Sequence, residues 1–127
     1  MRLLLDTQVL VWYDSEPHRL SAAATAVIRD PANEVFYSSA SIWELAIKSR
    51  LGKLAIGRSL PELVRIQATY RIAEVAVNSV HCLEVEALPL IHKDPFDRLL
   101  IAQALVESLA LVSADQVVAK YPVKVLW

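Results

Sequence analysis

The residues of this chain best placed to do chemistry are acids, and the clearest of them lies in His92-Lys93-Asp94-Pro95-Phe96-Asp97-Arg98, which runs straight into the apolar segment Leu99-Leu100-Ile101-Ala102-Gln103-Ala104-Leu105. Asp94 is a good helix N-cap, Pro95 fits the first helical position, and an acid at the third meets the positive end of the helix dipole. A helix is therefore predicted to start here. At about 100° per residue, Asp97 shares a stripe with Ile101, Ala104 and Ser108, the spacing of a face that points inward. An unpaired carboxylate in such a place costs several kcal/mol, so something positive is expected to meet it.

Three further acids are candidates to join it. Asp6 follows the apolar run Arg2-Leu3-Leu4-Leu5, which reads as a buried strand, and Asp115 follows Ala110-Leu111-Val112-Ser113, another strand. Glu44 falls in a helix predicted to begin at Ser41, on one stripe with Ile47 and Leu51. Taken singly, each acid has an ordinary explanation: Ser41-x-x-Glu44 has the form of a capping box, Asp94-x-x-Asp97 of an N-terminal charge pair, and acids after strands start turns. Taken together, Asp6, Glu44, Asp97 and Asp115 would place like charges within several ångströms, at about 4 kcal/mol per pair near 4 Å for an effective dielectric of 20. Such a cluster calls for a cation.

Oxygen ligands without a matching histidine or cysteine set select a hard ion, Mg²⁺ or Mn²⁺, and phosphodiester hydrolysis is the chemistry that follows. Thr7 and Ser113 are hydroxyl donors beside Asp6 and Asp115, suited to orienting a carboxylate. Between Leu45 and Pro61 the chain carries Lys48, Arg50, Lys53 and Arg58 and no acid. With Lys93 and Arg98, this segment is a candidate for phosphate contacts to RNA or DNA, a solvated helix face being the alternative; Arg98 alternatively pairs with a site acid. His18, His81 and His92 have no spacing that suggests a shared metal and read as surface or core-edge residues. Trp12, Trp43 and Trp127 read as core or interface anchors rather than base-stacking platforms, and Cys82 as a packed small apolar residue.

The elements that must position these groups alternate. Strands are expected at Arg2–Leu5, Glu34–Tyr37, Arg71–Val77, Ala110–Ser113 and Val123–Leu126. Helices are expected over Thr7–Tyr13, from a Ser21 cap through Ile28, from Ser41 to Gly52, from Ser59 to about Tyr70, over Ser79–Leu88, from Asp94 onward, and briefly over Gln116–Lys120. The alternation predicts a three-layer α/β fold with a mainly parallel sheet, whose ligands gather at the carboxyl ends of the strands.

Totals set the bounds. A chain of 127 residues reads as one domain, 1–127, able to bury roughly 65 to 70% of its unfolded surface. With 55% hydrophobic residues, a single cysteine and no apparent signal or membrane segment, it reads as a reduced, cytoplasmic protein that needs no disulfide. The net charge of −1 provides no global field for nucleic acid, so a polyanion would be held by a local patch.

Leu3-Leu4-Leu5-Asp6-Thr7, the stretch Ser38 to Lys48 around Trp43-Glu44-Leu45, the stretch His92 to Ala104, Leu111-Val112-Ser113-Ala114-Asp115 and the closing Tyr121 to Trp127 together resemble PIN-domain nucleases, most closely VapC-type toxins. That resemblance implies a Mg²⁺- or Mn²⁺-dependent endoribonuclease with Asp6, Glu44, Asp97 and Asp115 as its acidic site and Asp94 as an outer member. It also implies a homodimer and a small VapB-like antitoxin whose basic group meets the acids. Ser113 stands where many relatives have threonine, which preserves the hydroxyl. Gln116-Val117 replaces an additional Asn or acid carried by some members, which leaves one or two ions open. Two other readings share the fold: a binding module whose acids dock a basic partner, and an RNA-processing nuclease without an antitoxin.

Overall fold

Leu3, Leu4 and Leu5 are fully buried in the central strand of a sheet, and the remaining architecture follows from covering both faces of that strand. The computed structural model describes residues Met1 to Trp127. In chain order it runs β1 (Arg2–Leu5), α1 (Thr7–Ser15), α2 (Ala22–Arg29), β2 (Glu34–Ser38), α3 (Ser39–Arg50), α4 (Leu60–Thr69), β3 (Ile72–Val75), α5 (Ser79–Ala87), α6 (Pro95–Glu107), β4 (Ala110–Val112) and β5 (Val125–Leu126). Short 3₁₀ turns occupy Pro17–Arg19 and Val118–Lys120.

All five strands are parallel, in the order β3-β2-β1-β4-β5. Side chains alternate across β1, so Leu3 and Leu5 join one apolar layer and Leu4 the other. The first layer holds Val9 and Leu10 of α1, Ala24 and Ile28 of α2 and Leu63 of α4. The second is built on Leu100, Ile101, Ala102 and Ala104 of α6. The expected three-layer α/β architecture is therefore present.

Strand order reverses at β1. From there the chain steps outward to β2 and β3, then returns through α5 and α6 to lay β4 on the other side of β1. The carboxyl ends of β1 and β4 thus flank the crevice at which open parallel sheets take their ligands.

Several local expectations need correction. α3 starts two residues before Ser41, because Ser38 Oγ accepts from the Ala40 N–H at 3.0 Å and acts as the cap. Ser41 is fully buried and accepts a hydrogen bond from Thr7 Oγ1 at 2.9 Å, so no capping box links it to Glu44. The inward stripe of α6 ends at Ala104: Ser108 adopts a left-handed conformation (φ 55°), closes the helix and is exposed. The strands at 71–77, 110–113 and 123–126 shorten to Ile72–Val75, Ala110–Val112 and Val125–Leu126, and the short helix expected at 116–120 is a 3₁₀ turn at Val118–Lys120.

Candidate active site

Asp6 follows β1 and caps α1, its Oδ1 accepting from the Gln8 N–H at 2.8 Å. Its Oδ2 accepts from Ser113 Oγ at 2.5 Å, and the same Ser113 oxygen accepts from the Asp115 N–H at 3.1 Å. One hydroxyl therefore ties the tips of two adjacent strands together. Asp94 caps α6 through the N–H groups of Phe96 (2.8 Å) and Asp97 (3.3 Å), which fixes the first turn and turns Asp97 toward β1. Glu44 enters from the second turn of α3, buried, with Lys48 Nζ on its Oε2 at 2.8 Å.

These groups line one cavity of about 140 Å³, walled by Asp6, Glu44, Asp94, Asp97 and Asp115 with Thr7, Gln8 and Lys48, and with no hydrophobic residue. Asp6, Glu44, Asp97 and Asp115 all line this cavity together with Asp94, and Asp97 and Asp115 have oxygens within 4.8 Å of each other and of a His92 ring nitrogen. Within the wall, Lys48 is the single basic side chain.

The electrostatics record the imbalance. Burial pushes the Asp97 carboxyl up to about 7, reinforced by the charges of Asp94 and Asp6 and only partly opposed by His92. Asp6 is also raised, chiefly by burial, although the Ser113 and Gln8 hydrogen bonds pull the other way. At Asp115 burial acts upward, but hydrogen bonds from His92 and the Val117 N–H outweigh it and hold the group below the usual range. Glu44 Oε1 is buried with no hydrogen-bond partner at all. An orphaned carboxylate oxygen beside four other acids, all oxygen donors, fits a hard divalent cation.

His92 sits at the edge of the core, as expected, but its contact with two site acids is not foreseen by the sequence. His92 Nε2 lies 3.0 Å from Asp97 Oδ2 and 2.9 Å from Asp115 Oδ2. The only hint in the sequence is its place two residues before a helix cap. Of the other two, His18 is exposed, whereas His81 is fully buried between the Asn78 N–H and Glu107.

The basic residues divide. Lys48 lines the cavity, and Lys48 and Lys93 line the adjoining groove. Arg50 and Lys53 are exposed at the end of α3 and in the turn after it, outside both walls. Arg98 pairs with no acid: its guanidinium donates to the Pro89 and Val85 carbonyls and to Tyr121 Oη. Thr7 lines the cavity but gives its proton to Ser41 rather than to an acid. Cys82 is exposed rather than packed, on the wall of an apolar groove of about 510 Å³ formed with Trp43, Ile47, Val85, Phe96 and Leu99. Trp43 is 61% exposed and meets Phe96 edge-on at 5.0 Å, so it anchors no core.

The family model for the PIN domain matches residues 3–124. The chain belongs to the PIN-domain family. Within it, the chain is of the VapC type: ribonuclease VapC22 of Mycobacterium tuberculosis is 31% identical over 116 residues, covering 90% of this chain and 87% of that protein. Two solved structures share this PIN fold. VapBC2 from Rickettsia felis, crystallised with a DNA fragment from its promoter, has a TM-score of 0.70 at 17% identity, over 99% of this chain and 98% of that one. VapBC-1 from nontypeable Haemophilus influenzae has a TM-score of 0.63 at 16% identity, over 99% and 97%.

Proposed function

We propose that this PIN domain is a divalent-metal-dependent endoribonuclease, the toxin of a pair whose partner is a VapB-like antitoxin. The observation that carries the chemistry is the buried, partnerless Glu44 Oε1 in a cavity with four other carboxylates. Asp6, Glu44, Asp97 and Asp115 would hold Mg²⁺ or Mn²⁺, with Asp94 outside them. When bound, the ion supplies Lewis acidity toward a phosphodiester oxygen and activates water for attack.

The chain's own residues do the rest. Ser113 and the Gln8 N–H fix both oxygens of Asp6, and the Asp94 cap fixes the turn that carries Asp97. Lys48 and Lys93 offer positive charge along the groove leading from the cavity, where a polyanion would lie. Arg50 and Lys53 are more distant RNA contacts in this reading, and Arg98 is a support for the loop before α6.

The similarity to ribonuclease VapC22 supports RNA as substrate and an antitoxin as partner. The exposed apolar groove beside the acids supports a partner too, since a segment with an apolar face and a basic end would fill both. A second copy of the chain is the other partner in this reading, as a homodimer, measurable by light scattering.

The test is RNA cleavage with Mg²⁺ or Mn²⁺, with and without EDTA, for the wild type and Asp97→Asn, followed by addition of the product of the neighbouring gene. Metal-dependent cleavage that EDTA, Asp97→Asn and the neighbour's product each abolish is expected. A folded chain that cleaves no RNA with either ion would leave the binding-module reading in its place. Cleavage unaffected by the neighbouring product would favour an RNA-processing nuclease.

A further inference from the structure

His92 stands between two acids of the cavity, with a ring nitrogen close enough to both to share an ion with them, yet the way its ring is held favours a donor over a ligand. Its Nδ1 accepts the Asp94 backbone N–H at 3.1 Å. A ring nitrogen that accepts carries no proton, so the proton of the neutral imidazole sits on Nε2, the atom 3.0 Å from Asp97 Oδ2 and 2.9 Å from Asp115 Oδ2. A protonated Nε2 has no lone pair for a metal. It is instead a donor shared by two carboxylates.

The loop around it is fixed independently of the acids. Tyr121 Oη accepts from the His92 N–H at 2.7 Å and from the Ile91 N–H at 3.2 Å, and Arg98 donates to the same oxygen at 3.1 Å. Arg98 also donates to the Pro89 carbonyl at 2.8 Å. The segment before α6 is thus pinned to Tyr121, and the ring has little freedom to turn away.

We infer that His92 is a positioning residue of the acidic site: through Nε2–H it holds Asp97, at the start of α6, and Asp115, beyond β4, with their oxygens within 4.8 Å of one another, without itself becoming a ligand. This inference rests on the reading of the cavity as a cation site. Histidine is suited to the task because its two nitrogens sit on opposite sides of a rigid ring, one fixed by backbone and the other aimed at the carboxylates. Tyr121 and Arg98 act through it.

Four measurements on the full chain test this. In the ion-free protein, ¹⁵N–¹H correlation spectra of the imidazole should show the Nε2–H tautomer; an Nδ1–H tautomer would overturn the inference whatever the metal does. In Mn²⁺ titrations followed by electron paramagnetic resonance, His92→Ala should weaken binding roughly tenfold or more, the usual effect of losing a partner just outside the ligands. His92→Gln, whose amide N–H reaches similarly far, should recover most of that loss while thermal melting confirms both variants are folded. In the bound state, no hyperfine coupling from a coordinated imidazole nitrogen is expected, and finding one would contradict the donor role. Equal Mn²⁺ affinity in the wild type and His92→Ala would overturn the inference and leave the cation site standing; absence of Mn²⁺ binding in the wild type would overturn both.

Discussion

Two buried acids near the opposite ends of α1 have opposite surroundings. Asp14, with a side chain only 3% exposed, accepts from Arg58 Nε at 3.2 and 2.9 Å and from Tyr70 Oη at 2.6 Å. Asp6 is hidden almost as well but faces Glu44, Asp97 and Asp115 across a cavity containing one lysine. Burial alone therefore does not mark a functional carboxylate. The absence of a matching positive charge does, because a folded chain retains such an arrangement only if something outside it supplies the charge.

The comparison breaks most sharply at Asp97 and Asp14. Asp97→Asn should reduce metal-dependent RNA cleavage by roughly a hundredfold or more, beyond the typical effect of losing an outer partner, while thermal melting without metal stays level or rises as a repelling charge is removed. Asp14→Ala should do the reverse. It leaves Tyr70 Oη and Arg58 without their acceptor and should lower unfolding free energy by about 1–3 kcal/mol, measured in urea, with cleavage per folded molecule preserved. A stability loss at Asp97 equal to that at Asp14 would erase the distinction.

The pH dependence sharpens it. With Asp97 raised to about 7 from 3.8, the folded chain binds that proton more tightly than the unfolded chain does. The ion-free protein therefore loses stability from Asp97 as pH climbs from about 4 to 7. Asp115, held low, acts oppositely and withdraws its contribution as pH falls. Comparing melting of the wild type with Asp97→Asn isolates the first effect: the wild type should lose ground across that window and hold a constant deficit above it, and Mn²⁺ at pH 8 should remove the deficit. A difference independent of pH would show that Asp97 is not perturbed by its neighbours.

The smallest effect is expected at Lys48, the cavity's single lysine. If it meets substrate phosphate, Lys48→Gln should lower the slope of log affinity for RNA against log salt by roughly one, with metal affinity unchanged or higher. An unaltered slope would confine Lys48 to pairing with Glu44.

Much of this was legible in the chain. Leu3-Leu4-Leu5 announces a strand buried on both faces, and the Asp94-Pro95 start with the Asp97–Ile101–Ala104 stripe aims an acid inward, because those signals are local. Ser38, Ser39 and Ser41 carry the same capping chemistry within four residues, and only packing decides among them: Thr7 takes Ser41, and the end of β2 leaves Ser38 to cap. His92 was opaque because one of its carboxylates lies 23 residues away, and Arg98 because its acceptors are a loop carbonyl, a carbonyl near the end of α5 and the Tyr121 hydroxyl. The exposure of Trp43 and Cys82 depends on the gap that α3, α5 and α6 leave between them, which no single helix encodes.

The most direct test of the central claim is anomalous diffraction from a crystal of this protein grown with Mn²⁺. The account requires a manganese peak inside the cavity, coordinated by carboxylate oxygens of Asp6, Glu44, Asp97 or Asp115. A peak only elsewhere, with Glu44 Oε1 still lacking any partner, would contradict it.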